Sequence, residues 1–264
     1  MKVVIFCGGL GVRMGEATRE IPKPMITVGN RPILWHIMKW YASWGHTEFV
    51  LCLGYRGETI KRYFLDYNEA LSNDFVLSNG ARDVALLGSD ISDWTITFVD
   101  TGAQSTIAER LLVVAPHLGD DEYFLATYGD GLTDAPLPDM IDRLESSGKT
   151  GLFLSARPVL NSHVVRTADD GTVLSIDDMQ EADVWINGGF FVFRRSVLDY
   201  IKPGEELVVE PFRRLIEESE LIAYRHEGFW EPMDTIKDKQ RLDALADSGN
   251  APWRMGRSSA TVPR

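Results

Sequence analysis

The sequence predicts an α/β fold: a mixed, mainly parallel sheet with helices on both faces and a small antiparallel insertion. Three observations predict it. Short, nearly continuous apolar runs alternate with segments of helical spacing, the pattern of strands covered on both sides. Glycines and aspartates gather just after those runs, at the strand ends where ligands of parallel sheets bind. Between about residues 155 and 188 the pieces shorten and take on a hairpin pattern.

The first strand is expected at 3–7 (VVIFC), directly after Met1-Lys2, too short a stretch to be a signal peptide. Pro32 to Trp44 carries apolar residues at helical spacing, with Pro32 suited to the first turn. A strand at 49–53 (FVLCL) precedes a helix from Glu58 to Tyr67; a strand at 94–99 (WTITFV) precedes one from Thr106 to Val114. The run 123–127 (YFLAT) leads to a helix from Leu137 to Leu144, then to strands at 150–156 and 188–193. Residues 164–176 read as a hairpin around Asp169-Asp170-Gly171, an antiparallel excursion placed to wall a pocket. A helix from Val209 to Glu218, a strand from Leu221 to Arg225 and a helix from Asp234 to Ala246 close the chain. One domain over 1–256 is expected, with the polar, aperiodic 257–264 fraying.

With 264 residues the chain can bury a substantial core. Its formal charge of −12 counts against a nucleic-acid surface, which needs clustered Lys and Arg, but not against small phosphorylated ligands. Cys7 and Cys52 both sit in apolar runs and read as packing thiols, so a reducing cytoplasm is the expected location. No apolar run reaches the length of a membrane span.

The chemistry concentrates in three stretches. Gly8-Gly9-Leu10-Gly11-Val12-Arg13 follows the first strand, and its glycines let backbone N–H groups approach anionic oxygens. It is a poor dinucleotide fingerprint: Met14 stands where the third glycine of G-x-G-x-x-G belongs, and Pro22 and Pro24 interrupt any helix below it. Arg13 offers a planar fork for phosphate oxygens, and Lys23, held between two prolines, a compact charge presented at low entropic cost. Tyr128-Gly129-Asp130-Gly131 places a carboxylate between glycines at a strand end, open to a ligand; an ordinary Asp-Gly turn is the plainer reading. Asp234, at the start of the last helix, is either a helix cap or the second carboxylate of a Mg²⁺ site, an ion that takes one or two carboxylates and fills its shell with phosphate oxygens and water.

As an ordered set these parts resemble the sugar-phosphate nucleotidylyltransferases, a family with a Rossmann-like nucleotide-diphospho-sugar transferase fold. Within it the glucose-1-phosphate cytidylyltransferase branch is the most similar. The resemblance rests on G-G-x-G-x-R at 8–13, Pro22-Lys23-Pro24, Pro32 through Met38, Val99-Asp100-Thr101-Gly102, Tyr128 through Gly131, Ile186 through Phe191, and Gly228 through Thr235. It implies transfer of CMP from CTP to an acceptor phosphate with release of pyrophosphate. Gly8, Gly9, Gly11 and Arg13 would hold the triphosphate and Lys23 would neutralise the reacting phosphoryl group. Asp130 and Asp234 would hold Mg²⁺, with Thr101, Gly102 and Gly129 near the nucleotide and Asn187, Gly188 and Gly189 on the acceptor side. Arg110 matches an arginine that reaches a neighbouring subunit's site, which implies a homo-oligomer; a helix-surface charge is the alternative, because Ala108-Glu109 replaces the usual Gly-Gly before it.

Departures fall on the acceptor side. The branch carries a Glu-Lys-Pro before Asn-Gly-Gly whose lysine contacts the sugar phosphate; here Asp177-Asp178-Met179 occupies that stretch, and no lysine occurs from 155 to 189. Asn161-Ser162-His163 replaces an Arg-aromatic-Gly element, and Val12 replaces a threonine of the glycine loop. Arg157, His163 and Arg166 are the candidate substitutes for the missing cation. The expected acceptor is therefore a phosphorylated or phosphonylated small molecule, glucose 1-phosphate or another. The rival reading is a nucleotide-binding homologue without turnover; an NAD-dependent oxidoreductase fails on the faulty fingerprint.

Overall fold

The computed structural model describes residues 1–9, 21–159, 163–179 and 183–254. Its centre is a seven-stranded sheet. In chain order the strands are β1 (Val3–Phe6), β2 (Glu48–Leu53), β3 (Thr95–Asp100), β4 (Tyr123–Tyr128), β5 (Gly151–Ala156), β6 (Ile186–Arg194) and β7 (Leu221–His226). They lie in the order β7-β5-β6-β4-β1-β2-β3. All neighbours are parallel except β6, which runs against both β5 and β4. Ile5 pairs with Leu51 on one side and Thr127 on the other, so β1 is central and buried on both faces.

Alternation along β1 divides the core. Val3 and Ile5 pack on one face with α1 (Ile33–Ser43), α2 (Gly57–Leu65), α4 (Leu137–Ser147) and α6 (Ile236–Asp247). Val4 and Phe6 pack on the other with α3 (Ile107–Val114) and α5 (Glu210–Glu217). Side chains of successive strand residues point to opposite faces, so each four-residue run of apolar side chains feeds two layers. Cys7 and Cys52 are free and buried, one in each layer. No helix among the described residues is long and apolar enough to cross a membrane.

The expected strands and helices are present with ends that coincide or shift by at most three residues. The last helix begins at Ile236 rather than Asp234, because Thr235 is its N-cap and closes a capping box with Asp238. The hairpin around Asp169-Asp170-Gly171 forms from His163–Thr167 and Val173–Asp178. A second hairpin, Phe75–Ser78 with Asp83–Leu86, was not among the expected strands; its residues are exposed, including Val76, Leu77 and Val84. The tail expected at 257–264 lies outside the described residues.

His36 on α1 is 2% exposed. Its Nε2 donates to the Val28 carbonyl (2.9 Å), which leaves Nδ1 to accept from the Trp253 indole (3.4 Å). Burial pulls the imidazole from 6.5 down to about 4. The unfolded chain therefore binds a proton that the fold excludes, and stability falls as pH drops from 6.5 toward 4. Urea unfolding at pH 7.5 and 4.5 should show an acid loss about 2.5 kcal/mol larger for the wild type than for His36→Gln. Equal losses would mean that His36 is not held neutral.

Candidate active site

The site lies where β1 and β4 end. β4 runs to Tyr128, and Gly129 donates its N–H to the Phe6 carbonyl (3.2 Å), so the loop after β4 is tied to the end of β1. Gly129 is a glycine by necessity: a Cβ there would lie 2.9 Å from the Phe6 carbonyl oxygen and 3.0 Å from the Pro24 ring. The missing side chain lets the Pro22-Lys23-Pro24 turn pack against the strand end. A short 3₁₀ turn, Lys23–Met25, fixes that segment through Met25 N–H to the Pro22 carbonyl (2.8 Å) and Ile26 N–H to the Lys23 carbonyl (3.1 Å).

A two-stranded ribbon brings the carboxylates together. Gly131–Thr133 pairs antiparallel with Trp230–Pro232, with Gly131 opposite Pro232. Met233 N–H extends the ladder to the Asp130 carbonyl (2.8 Å). Residues 130 and 234 thus flank the same end of one ribbon despite their separation in sequence. Behind it, Asp134 accepts from Phe229 N–H (2.8 Å) and pairs with His226 Nε2 (2.6 Å), anchoring the loop that leads into the ribbon.

Lys23 closes the arrangement. Its Nζ lies 2.6 Å from Asp130 Oδ2 and 2.6 Å from Asp234 Oδ1. Burial works against the ammonium, but the charge of Asp130 and the hydrogen bonds the ammonium donates to both carboxylates outweigh it and raise the lysine above its ordinary value. Lys23 is therefore a cation at neutral pH.

Two cavities meet at this cluster. The first, about 450 Å³, is lined by Gly8, Gly9, Lys23, Gly129 and Arg110, among others. The second, about 720 Å³, is lined by Asn187, Gly188, Trp230, Lys237 and Arg241, among others. Tyr128, Asp130 and Asp234 line both. The arrangement can hold two reactants on either side of one acidic pair, with an ammonium beside them.

Arg110 is buried rather than a helix-surface charge. Its guanidinium donates to Thr101 Oγ1 (2.6 Å) and to the carbonyls of Leu53 (3.2 Å) and Gly8 (3.3 Å). It is turned into its own chain and braced by residues at the ends of β1, β2 and β3. Thr101 and Gly102 do not line the first cavity; Thr101 Oγ1 accepts from Arg110 and donates to the Leu53 carbonyl (2.7 Å).

The family model for nucleotidyl transferases matches residues 2–238. The chain belongs to the nucleotidyl transferase family. It is 40% identical over 256 residues to the glucose-1-phosphate cytidylyltransferase of Salmonella typhi, covering 96% of this chain and 99% of that one. The Salmonella typhimurium glucose-1-phosphate cytidylyltransferase is also 40% identical, over 258 residues, with the same coverage. The crystal structure of HddC from Yersinia pseudotuberculosis superposes with a TM-score of 0.64 at 16% identity, covering 93% of this chain and 99% of that one, a likeness of fold.

In this nucleotidyl transferase the sequence-based site is only partly assembled among the described residues. Gly11 and Arg13 lie outside them. Asn187 and Gly188 line the second cavity, and Gly189 N–H donates to Asn187 Oδ1 (3.0 Å). Arg157 and His163, expected as acceptor ligands, line neither cavity. The Arg157 guanidinium stacks on the Trp185 ring (4.7 Å), which Arg225 also faces (5.2 Å); His163 begins the exposed hairpin. The cations that do line the second cavity, Lys237 and Arg241, went unnoticed in the sequence. Their signal was position: both sit on the helix that begins just after Asp234.

Proposed function

We propose that this nucleotidyl transferase transfers CMP from CTP to a phosphorylated small-molecule acceptor, with Mg²⁺, and releases pyrophosphate. One observation carries the reading: Lys23, Asp130 and Asp234 converge at the wall shared by two cavities. The 40% identity to glucose-1-phosphate cytidylyltransferases supports CTP as donor and glucose 1-phosphate as the first acceptor to try.

The donor set fits magnesium. Two carboxylates already share one cation, the Lys23 ammonium. Among the described residues there is no group of three or more acidic, histidine or cysteine ligands. That suits an ion that takes one or two carboxylates and completes its shell with phosphate oxygens and water. Asp130 and Asp234 would hold it, and it would neutralise charge on the reacting phosphates.

The chain's own groups position the reactants. The nucleotide lies in the first cavity, with Gly8 and Gly9 beside its phosphates and Arg110 bracing the strand ends below them. The acceptor lies in the second, against Asn187 and Gly188. An acceptor phosphate oxygen attacks the α-phosphorus; the bond to the β-phosphate oxygen breaks, and pyrophosphate leaves with the electron pair. Lys23 stabilises the charge that builds on the equatorial oxygens, so no protein nucleophile is needed.

We also read the enzyme as a homo-oligomer. The exposed apolar side chains of the 75–86 hairpin support this, since an isolated two-stranded ribbon is marginal in water. The reading is tested by incubating the intact chain with CTP, Mg²⁺ and glucose 1-phosphate or other phosphate and phosphonate acceptors while following pyrophosphate. Acceptor-dependent release that EDTA abolishes is expected, from a species heavier than 29.6 kDa in sedimentation. CTP binding without release for any acceptor would favour a non-catalytic homologue.

A further inference from the structure

We propose that Lys237 supplies the cation that grips the acceptor's phosphate, in place of the lysine missing before Asn187. The proposal rests on the cytidylyl-transfer reading above and names the residue that completes it.

The need for such a cation follows from the charges of the second cavity. Among the described residues its charged lining is Asp130, Asp234, Asp238, Lys237 and Arg241. A phosphate monoester carries close to two negative charges at neutral pH, and three carboxylates would repel it unless a cation answers it directly. Lys23 is held between Asp130 and Asp234. Arg241 is engaged twice, by Glu231 (2.6 Å) and by Asp238 (3.1 Å). Glu231 is buried, so drawing Arg241 away would leave a buried carboxylate without its partner. Lys237 has no ion pair among the described residues, and it is the remaining cation of the lining.

Lys237 is also well mounted. Asp234 N–H and Thr235 N–H both donate to Asp238 Oδ2 (3.0 and 2.7 Å), and Asp238 N–H donates to Thr235 Oγ1 (3.2 Å). This capping box locks the backbone from 234 to 238. One rigid turn therefore carries both an aspartate of the shared wall and the lysine three residues on, fixing the distance between the reacting phosphorus and the acceptor's anchor. The cations of the insertion are placed elsewhere: Arg157 on Trp185, and Arg166 on the exposed hairpin 4.0 Å from Asp177.

Steady-state kinetics of the intact enzyme with CTP and glucose 1-phosphate, varying each in turn, test this in Lys237→Met and Lys237→Arg. Lys237→Met should raise the acceptor KM about 30-fold while the CTP KM stays within twofold; Lys237→Arg should recover most of the loss. The unchanged CTP KM doubles as proof of folding. Calorimetry with glucose 1-phosphate alone should show the same loss without turnover. An unchanged acceptor KM in Lys237→Met, or equal rises in both KM values, overturns the assignment. Wild-type enzyme that neither binds nor cytidylylates any phosphate acceptor overturns the functional reading itself, a failure visible before any variant is made.

Discussion

Lys23→Met is expected to lower kcat for pyrophosphate release by about a thousandfold while the fold survives. The ammonium lies 2.6 Å from both Asp130 and Asp234. Donors preorganised toward developing phosphoryl charge are worth about 10²–10³ in rate when removed singly, and a charged donor belongs at the upper end. Stability should change far less. Both carboxylates keep contact with solvent, at 29% and 36% exposure, so water and counterions screen the repulsion left behind. A melting temperature within a few degrees of wild type, beside a collapsed kcat, is the expected pair of results. A variant retaining more than about a tenth of wild-type kcat would mean that Lys23 does not act on the transferred phosphoryl group.

Gly189→Ala should fail differently, through the fold. Gly189 has φ +75, where a side chain meets its own backbone. A Cβ at that position would also overlap the Tyr128 ring, which packs edge-on against Phe191 and tilted against Phe6. The ring cannot yield without disturbing Phe6 and Phe191, which pack with it on one face of the sheet. Strained backbone costs about 1–2 kcal/mol and overpacking about 1–3. A loss near 3 kcal/mol follows, or about 6–12 °C in melting temperature. Because Tyr128 lines both cavities, the variant should also lose affinity for both substrates. A melting temperature unchanged by the substitution would show that the start of β6 at 187–189 is looser than its contacts imply.

The fold was readable because its strands are buried on both faces, and runs such as Val3–Phe6 admit no other economical reading. The 75–86 hairpin escaped because neither of its faces is buried, so periodicity carried no signal. The Asn79-Gly80 pair, both at positive φ, was the clue available. The convergence of Lys23, Asp130 and Asp234 was foreseeable from the family resemblance, helped by the two prolines around Lys23 and the glycines around Asp130. The burial of Arg110 was not. Two of its three partners are backbone carbonyls at the ends of other strands, which no residue type announces. Lys237 was missed for a related reason: attention to the absent lysine fell on the insertion, whereas folding delivers a replacement from the opposite end of the chain.

The reversed direction of β6 has a consequence for how such an enzyme diversifies. Ala156 and Ile186 are directly paired across β5 and β6, so the chain leaves the sheet and returns to it at adjoining points. Whatever length of polypeptide fills that gap closes over nearly the same span, and doubling it costs only about 0.6 kcal/mol. The wall above the second cavity can therefore be rewritten, shortened or extended with no strand in the sheet having to shift, while Lys23, Asp130 and Asp234 stay put.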